Sequence, residues 1–443
     1  MILAQVLYNL TVTILAIPAL PIAGLALLVR PRYRLGLRQR LGVLSPAVRS
    51  LVKNQQPLWV HAPSVGEILA TQPFLQELKQ QFPKIPILLS TLTPTAYTTA
   101  REKIPEADAI IYFPLDHPLI VNHVLRHIRP MAFFFSETEM WPNFLLAAAQ
   151  RHIPTFLISG RFSPRALVRY RLLSAVFRPV FQTLTRCCMQ TDDDKKRLLA
   201  AGAVEAQVVV TGNFKLDVVR GEEQPREFVL QETGLANRPL LIGASTHSGE
   251  EEFLLRMCQR LRVEVPALLL LLAPRHPQRF PEVERLLRQQ NCRYVTRSEH
   301  EPASRDTEVF LLDTLGELAS FYHAAVATFV GGSLIKGPGG HSVIEPALAR
   351  TPVCFGPYTA NFSTIVEQLQ QVGGGFIIHT EEEGYQKLLP LFTDARQAQA
   401  VGQRAYKVVQ QGQGAVRRTM AIVLEVLSNR QAGSLLPSSR PHL

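Results

Sequence analysis

A chain of 443 residues with 47% hydrophobic and 19% charged side chains is too long for one ordinary core and too apolar for intrinsic disorder, so two folded domains are expected. The formal net charge of +11 attracts polyanions, without distinguishing nucleic acid, an anionic membrane or phosphorylated substrates. Five cysteines fit neither a metal-ligand spacing nor a disulfide framework, which indicates a reducing compartment.

The first 29 residues are uncharged and rich in Leu, Ile, Val and Ala, and the stretch is long enough to cross a hydrocarbon core. We expect it to persist as an anchor, because it lacks the basic start and cleavage site of a signal peptide. Pro18 and Pro21 leave a kinked, monotopic helix as an alternative. A basic cluster follows and predicts that the large domains lie on the cytoplasmic side: Arg30, Arg32, Arg34, Arg38 and Arg40.

Short apolar runs separated by stretches of helical length predict an α/β fold with parallel sheets. Because the runs are apolar throughout, we expect helices to cover both faces of each sheet, as in Rossmann-like domains. The first half has runs at 58–60, 87–89, 109–113, 131–135, 155–158 and 208–210. The second half has runs at 240–242, 268–272, 309–312, 327–330, 353–355 and 376–378.

A polar stretch at 220–226 is typical of a linker between the two halves. The last helical stretch, near 394–429, is longer than the second domain needs, and it is hypothesised to pack back on the first. The predicted divisions are an anchor at 1–29, an N-terminal domain at 30–220, a C-terminal domain at 221–415, and a helix and tail at 416–443.

In such sheets, ligands bind at the carboxyl ends of the strands, so the residues that follow each run form the candidate site. The loop at 61–67 ends at Glu67, which falls in the first turn of a helix. Taken alone, this glutamate is better explained as a complement to the positive helix end. Glu137 and Glu139, beside Trp141, form a second acidic strand end and favour a site, although paired carboxylates could also orient loops.

The second half places hydroxyls, histidines and an arginine after its first two runs. Thr246 follows the first run, and Arg275 and His276 follow the second. The planar guanidinium of Arg275 suits the phosphate or carboxylate of an anionic donor. A surface ion pair explains this arginine equally well when it is considered alone.

The most distinctive local pattern is a glycine-rich loop that contains Gly331, Gly332, Ser333 and His341 and leads to Glu345. Glycines let backbone amides approach a phosphate, and the following helix start adds the positive end of its dipole. The spacing is neither that of a P-loop nor that of a dinucleotide fingerprint. The pattern predicts a nucleotide phosphate at this loop, with its ribose near Glu345.

An acidic triplet at 192–194 is compatible with a magnesium or manganese site. It lies between an apolar run that ends at Met189 and the basic residues 195–197, so a helix start with an acidic first turn is favoured. No other acidic cluster supports metal-dependent chemistry, and we predict neither a metal nor a cofactor.

The segment between Glu139 and Asp192 contains no acidic residue, and its arginines are interleaved with aromatic and aliphatic side chains. This pattern is typical of a basic amphipathic surface that binds an anionic membrane or a phosphorylated glycolipid. An ordinary helix with a solvated arginine face is the alternative. The arginines are Arg161, Arg165, Arg169, Arg171, Arg178 and Arg186.

Six motifs, in order along nearly the whole chain, resemble the 3-deoxy-D-manno-octulosonic acid (Kdo) transferases of lipopolysaccharide assembly. They are Ser64-Val65-Gly66-Glu67, Glu137-Thr138-Glu139-Met140-Trp141-Pro142-Asn143, Thr211-Gly212-Asn213-Phe214-Lys215-Leu216-Asp217, Ser245-Thr246-His247, Pro274-Arg275-His276-Pro277 and Phe329-Val330-Gly331-Gly332-Ser333. The resemblance implies the GT-B architecture, in which two Rossmann-like domains face a cleft, here with an N-terminal membrane-anchoring helix. It also implies a metal-independent, inverting glycosyltransferase of the inner membrane, with CMP-Kdo as donor, a lipid A precursor (lipid IVA) as acceptor, and no nucleic-acid partner.

The same resemblance implies roles for individual residues. Glu67 matches the general base of the family. Donor binding is expected of Thr246, Arg275, His276, Gly331, Gly332, Ser333, His341 and Glu345. Acceptor binding is expected of Ser64, Gly66, Glu139, Arg161 and Lys215.

The sequence departs from the family at Ser342 and Val343, where Asn-Pro is typical, so donor specificity is the property most open to change. Two alternatives stay open. One is a related membrane-associated transferase that uses another nucleotide sugar. The other is a catalytically silent protein that binds a nucleotide or lipid with the same fold.

Overall fold

The chain divides into two compact units. The computed structural model describes residues 8–9, 35–53, 55–218, 226–236 and 238–434. The first unit comprises Met1–Val218 and Gln413–Leu443, and the second comprises Val219–Gly412. The boundaries predicted from the sequence, after residue 220 and at residue 416, lie close to these divisions.

The first unit contains a seven-stranded sheet in which all neighbouring strands are parallel. The strands are β1 (Leu58–His61), β2 (Ile87–Thr91), β3 (Ala109–Tyr112), β4 (Ala132–Ser136), β5 (Thr155–Gly160), β6 (Arg186–Met189) and β7 (Val208–Val210). Their order is β3-β2-β1-β4-β5-β6-β7. The first strand therefore lies inside the sheet, and the chain adds β2 and β3 on one side of it before it adds β4 to β7 on the other. This order is that of a doubly wound, Rossmann-like sheet.

Several helices of the first unit begin with a proline preceded by a capping side chain. The hydroxyls of Ser45, Thr93 and Ser163 accept backbone N–H groups of the first turn, and proline occupies the next position in each case, where its missing N–H costs nothing. The helices are α1 (Leu37–Arg40), α2 (Pro46–Val52), α3 (Val65–Gln81), α4 (Pro94–Lys103), α5 (Pro118–Ile128), α6 (Pro142–Gln150), α7 (Pro164–Leu172), α8 (Ser174–Thr183), α9 (Asp192–Ala200) and α10 (Lys215–Val218).

The second unit repeats this design with another seven-stranded parallel sheet. Its strands are β8 (Leu240–Thr246), β9 (Leu269–Pro274), β10 (Tyr294–Thr296), β11 (Val309–Leu311), β12 (Ala325–Val330), β13 (Val353–Phe355) and β14 (Gly375–Ile377). They are arranged in the order β10-β11-β9-β8-β12-β13-β14. Its helices are α11 (Arg226–Glu232), α12 (Glu250–Glu264), α13 (Phe280–Gln289), α14 (Leu318–Phe321), α15 (Ile344–Leu348), α16 (Ser363–Gln371), α17 (Glu381–Thr393) and α18 (Ala395–Gly412).

Each sheet separates two apolar cores, which explains why its strands are apolar on both faces. In β1, Trp59 belongs to one core, where its ring meets Phe144 edge-on with centroids 5.1 Å apart. Its neighbours Leu58 and Val60 belong to the core on the opposite face. In β8, Leu241 and Ile242 are divided between the two cores of the second unit in the same way.

The last helix, α19 (Ala415–Ser434), belongs to the first unit and not to the second, from which the chain enters it. Val416, Met420 and Val423 lie in the same core as Val60. The carboxylate of Asp217 accepts the N–H groups of Gly414 (2.6 Å) and Val416 (2.7 Å) and so caps the start of the helix. Asp217, at the end of the first segment of this unit, thereby fixes the position at which α19 begins.

Two strands differ from the sequence expectations, and the predicted anchor stays a prediction. The strands β6 and β10 were not among the predicted strands: β6 is the short apolar run that ends at Met189 and begins with Arg186, and β10 is a three-residue edge strand with partly exposed side chains. Among the described residues, no helix is both long and apolar enough to span a membrane. Apart from Tyr8 and Asn9, the predicted anchor lies outside the described residues, as do Arg30, Arg32 and Arg34.

We expect the Asp217→Ala substitution to lower the free energy of unfolding of the full chain by about 1–2 kcal/mol, because two helix N–H groups lose their acceptor. Urea unfolding followed by circular dichroism measures the change. Glu205→Ala is the matched control, since this side chain is 77% exposed and should change the stability by less than about 0.5 kcal/mol. Equal midpoints for the two variants would contradict a capping role for Asp217.

Candidate functional site

Glu67 lies where the sequence placed it, in the first turn of α3 directly after β1. Its carboxylate oxygen Oε2 accepts the backbone N–H of Ser64, at 2.7 Å, in a capping box. Glu67 therefore does complement the start of its helix, as the alternative explanation predicted. A Cβ added at Gly66 would meet only the Ser64 hydroxyl, 4.0 Å away, so this glycine leaves open space in the same turn as the carboxylate.

The surroundings of Glu67 give it the acidity of a general base. Burial and, after it, the negative charge of Glu137 raise the pKa of its carboxyl group to about 7, while the hydrogen bonds from Ser64 oppose the shift. A carboxylate with this pKa is present in both protonation states near neutral pH. It is therefore better matched to proton removal from an alcohol than an ordinary glutamate.

The segment after β4 supplies the other carboxylates of this cluster. Glu137 has a φ of 56°, a strained conformation for a residue with a side chain, and its carboxylate lies 3.5 Å from the Lys215 ammonium. Burial raises the pKa of Glu139, with Trp141 and Arg169 acting against the shift. The structure thus brings Glu67, Glu137, Glu139 and Lys215 together at the carboxyl ends of the strands.

A residue that the sequence analysis missed holds this segment in place. The Asp116 carboxylate accepts the N–H groups of Asn143 (3.0 Å) and Phe144 (2.8 Å) at the start of α6, and the Asn143 amide donates to the Asp116 carbonyl. Burial raises the pKa of Asp116 to about 6. Asp116 anchors the helix that follows Glu139, and no local pattern near residue 116 reveals this.

The helix α7 presents a groove with mixed chemistry. It is lined by Arg165, Val168, Arg169, Leu172 and Leu173. Val168 and Leu172 are 61% and 81% exposed, so the apolar part of this face is open to solvent instead of being covered by the domain. Two of the six arginines singled out in the sequence therefore share one surface with aliphatic side chains, and Arg161 lies just after β5, in the segment that leads to α7.

In the second unit, three histidines gather at the ends of β8, β9 and β12. The Nε2 atoms of His247 and His341 are 2.8 Å apart, and the rings of His247 and His276 meet edge-on at 5.5 Å. Burial and the neighbouring charges of His247, Arg275 and His276 lower the pKa of His341 to about 4. A pKa of about 4 leaves His341 uncharged at neutral pH, so the site combines the positive charge of Arg275 with imidazole hydrogen-bonding groups.

Arg275 is exposed at the end of β9, and its backbone N–H donates to the carbonyl of buried Thr246. Within the described part of the chain, its guanidinium forms no ion pair. The alternative explanation as a surface ion pair is not supported there. Glu345 is surrounded by other groups: it hydrogen-bonds with Ser342, and its charge adds to the effect of burial in raising the pKa of the Tyr322 phenol.

The glycine-rich loop has another partner than the expected phosphate. The N–H groups of Gly332 (2.7 Å), Ser333 (3.0 Å) and Leu334 (2.9 Å) all donate to the carboxylate of Glu250. The Ser333 hydroxyl is also engaged, because it donates to the Val330 carbonyl and accepts the Gly356 N–H. The prediction that these amides face a nucleotide phosphate is corrected, since a buried carboxylate already accepts them.

The acidic triplet at 192–194 forms the first turn of α9, as the helix-start interpretation predicted. Thr191 caps this helix with its hydroxyl, and Asp194 accepts the N–H of Phe162 at 2.8 Å. Among the described residues, no group of three or more histidine, cysteine or acidic side chains is arranged to hold a metal ion.

Comparisons with known proteins agree on a family. Residues 35–218 match the family described as 3-Deoxy-D-manno-octulosonic-acid transferase (kdotransferase). A 3-deoxy-D-manno-octulosonic acid transferase of Haemophilus influenzae is 31% identical over 402 residues, which cover 90% of this chain and 93% of the relative. The enzyme of the same name from Bordetella pertussis is 34% identical and covers 82% of this chain and 86% of its own length.

Solved structures support the fold. The UDP-GlcNAc 2-epimerase of Neisseria meningitidis, bound to UDP-GlcNAc, superposes with a TM-score of 0.55 over 84% of this chain and 100% of its own. The two sequences are 14% identical, so this likeness concerns the fold alone.

We expect Glu137→Gln to lower the pKa of Glu67 from about 7 toward the ordinary value, because the substitution removes a neighbouring negative charge. The carboxyl carbon shift of Glu67, followed by NMR in ¹³C-labelled protein and assigned with Glu67→Gln, measures the titration. Glu205→Gln, at an exposed site away from the cluster, should leave it unchanged. A Glu67 titration that stays near pH 7 in Glu137→Gln would show that Glu137 does not set this acidity.

Proposed function

Because the chain belongs to the Kdo transferases, we propose that it transfers Kdo from CMP-Kdo to a lipid A precursor with inversion of configuration, using Glu67 as the general base. The observation that carries this proposal is the half-buried carboxyl group of Glu67 at a strand end, with a pKa of about 7. Transfer of Kdo by a glycosyltransferase follows from the family. The donor nucleotide, the acceptor, the stereochemistry and the base are proposals.

In the proposed reaction, the Glu67 carboxylate takes the proton of an acceptor hydroxyl as the oxygen forms a bond to the anomeric carbon of Kdo. The bond from that carbon to the phosphate oxygen breaks on the opposite face, and CMP leaves with the electron pair. A single displacement of this kind inverts the configuration. Glu67 has to lose its own proton first, so the rate should rise with pH through about 7 and level off above it.

Negative charge develops on the departing phosphate, and the second unit offers a guanidinium and imidazole N–H groups that can stabilise it. We propose that the guanidinium of Arg275 and the imidazoles of His247, His276 and His341 supply this stabilisation. Support comes from their clustering and from the unpaired state of Arg275 within the described residues. We assign this stabilisation to side chains because the Glu250 carboxylate already accepts the N–H groups of Gly332, Ser333 and Leu334 in the glycine loop.

The groove on α7 is proposed to bind the acceptor lipid. Its arginines suit the phosphates of a glycolipid, and its exposed aliphatic side chains suit acyl chains or the headgroup region of an anionic bilayer. The pKa of Glu139 responds to the charge of Arg169, so the groove adjoins the carboxylate cluster within one unit. A location at the cytoplasmic face of the inner membrane is part of the same proposal.

The Glu67→Gln variant should lose about 10²–10⁴-fold in kcat, because the amide still accepts the Ser64 N–H but cannot take a proton. Mass spectrometry of a lipid A precursor incubated with CMP-Kdo measures product, and circular dichroism confirms folding. Glu77→Gln, on the solvent side of the same helix, is the matched control and should act at the wild-type rate. Wild-type turnover by Glu67→Gln would rule out this base.

The double variant Arg165→Gln with Leu172→Ser should raise the acceptor KM roughly tenfold and leave the donor KM unchanged, because it removes one phosphate contact and one apolar contact. Initial rates with detergent-dispersed lipid A precursor give both constants. The control pair Arg285→Gln with Val263→Ser changes an arginine and an exposed aliphatic residue in the second unit. An unchanged acceptor KM in the α7 variant would remove the groove from the acceptor site.

A further inference from the structure

Glu250 is the most heavily hydrogen-bonded carboxylate of the second unit's carboxyl edge, and it is completely buried at the start of α12. Its Oε2 atom accepts the N–H groups of Gly332 (2.7 Å) and His247 (2.9 Å), and its Oε1 atom accepts those of Ser333 (3.0 Å) and Leu334 (2.9 Å). Consecutive amides that converge on one anion form the kind of concave nest that elsewhere binds phosphate. Here the anion is part of the chain.

The glycines of the loop are explained by this internal anion. A Cβ at Gly331 would lie 2.7 Å from the Glu250 carboxylate and 2.6 Å from the Ser245 carbonyl. Gly332 has a φ of 66°, and a Cβ there would lie 2.9 Å from the His341 ring. A side chain at either position would separate the loop from the carboxylate or from the imidazole.

The same hydrogen bonds place both members of the histidine pair. Glu250 holds His247 through its backbone N–H. It holds His341 through the loop, because the Gly331 carbonyl accepts the His341 N–H (3.2 Å) and the Gly332 carbonyl accepts the adjoining Gly340 N–H (2.8 Å). The 2.8 Å contact between the two Nε2 atoms requires one N–H and one lone pair, so it depends on this placement.

We propose that Glu250 is a positioning residue of the donor site: an internal anion that fills the amide nest, fixes the separation of the His247 and His341 imidazoles, and leaves the donor phosphate to side chains. The donor part of this inference rests on the proposed function. The geometric part does not, because the nest and the imidazole pair are properties of the free protein.

Glutamine at position 250 tests the proposal sharply. It has nearly the size of glutamate, but it offers one acceptor oxygen and brings an NH2 group toward two N–H donors, so two of the four bonds are replaced by repulsion. Glu252→Gln is the matched control on the same helix turn, since Glu252 is not fully buried and accepts one N–H, that of Gly249.

The experiment compares the full-length wild type, Glu250→Gln and Glu252→Gln by imidazole ¹⁵N NMR and by steady-state kinetics. In the wild type and in Glu252→Gln, we expect one protonated and one unprotonated Nε2 in the pair and a linked titration of His247 and His341. The charged groups that face this pair are His276, Arg275, Arg279 and Glu250. In Glu250→Gln, we expect two independent titrations and a donor KM raised roughly tenfold, with the acceptor KM unchanged.

An intact imidazole pair in Glu250→Gln would overturn the proposal. A lost pair with an unchanged donor KM would also overturn its donor part and leave Kdo transfer as proposed. Absence of Kdo transfer by the wild type would contradict the proposed function, while the NMR comparison would still test the geometric role. If Glu250→Gln does not fold, Glu250→Asp is read by the same criteria, because it keeps the charge and shortens the reach by one methylene.

Discussion

A carboxylate in the first turn of the helix that follows a central strand is the constraint on which both candidate sites depend. In the first unit, Glu67 follows β1 and accepts the N–H of Ser64, three residues earlier. In the second unit, Glu250 follows β8 and accepts the N–H of His247, also three residues earlier. The local chemistry is the same, because a helix start offers unpaired N–H groups and a positive dipole end to any nearby carboxylate. What differs is the set of groups that surround each carboxylate.

Those surroundings suit the two glutamates to different roles, a proposed base at Glu67 and a structural anion at Glu250. Glu250 is completely buried and has four N–H donors, so each of its oxygens is satisfied and the carboxylate holds a loop from 80 residues further along the chain. Glu67 is only half buried, has like charges nearby in Glu137 and Glu139, and keeps a pKa near neutrality. A carboxylate whose charge is fully compensated is a poor base, whereas one that is desolvated and repelled by its neighbours gains from accepting a proton. One structural position therefore supports two functions.

The sequence predicted what local patterns encode and missed what distant partners decide. The apolar runs predicted twelve of the fourteen strands, and the carboxylate at Glu67 was found because it directly follows such a run. The role of the glycine loop was misjudged, because its amides bond to Glu250, some 80 residues away, and nothing within the loop indicates that partner. The roles of Asp116 and Asp217 were missed for the same reason, since the N–H groups that they accept lie at least 27 and 197 residues later in the chain. Hydrogen bonds between strand ends leave no periodic signal in the chain.

Charge in the first unit links the proposed acceptor groove to the proposed base. The groove on α7 carries arginines beside exposed aliphatic side chains, and Arg169 opposes the rise in the pKa of Glu139 that burial causes. The charge of Glu139 adds a small part to the raised pKa of Glu67, after burial and Glu137. An anion bound by the groove would pair with Arg169 and reduce the electrostatic stabilisation that this arginine gives the Glu139 carboxylate. The protonated form of Glu139 would then be favoured. The repulsion that Glu139 exerts on Glu67 would then decrease. If Glu67 is the base that we propose, occupancy of the groove would therefore lower its pKa slightly through Glu139, with no change of fold.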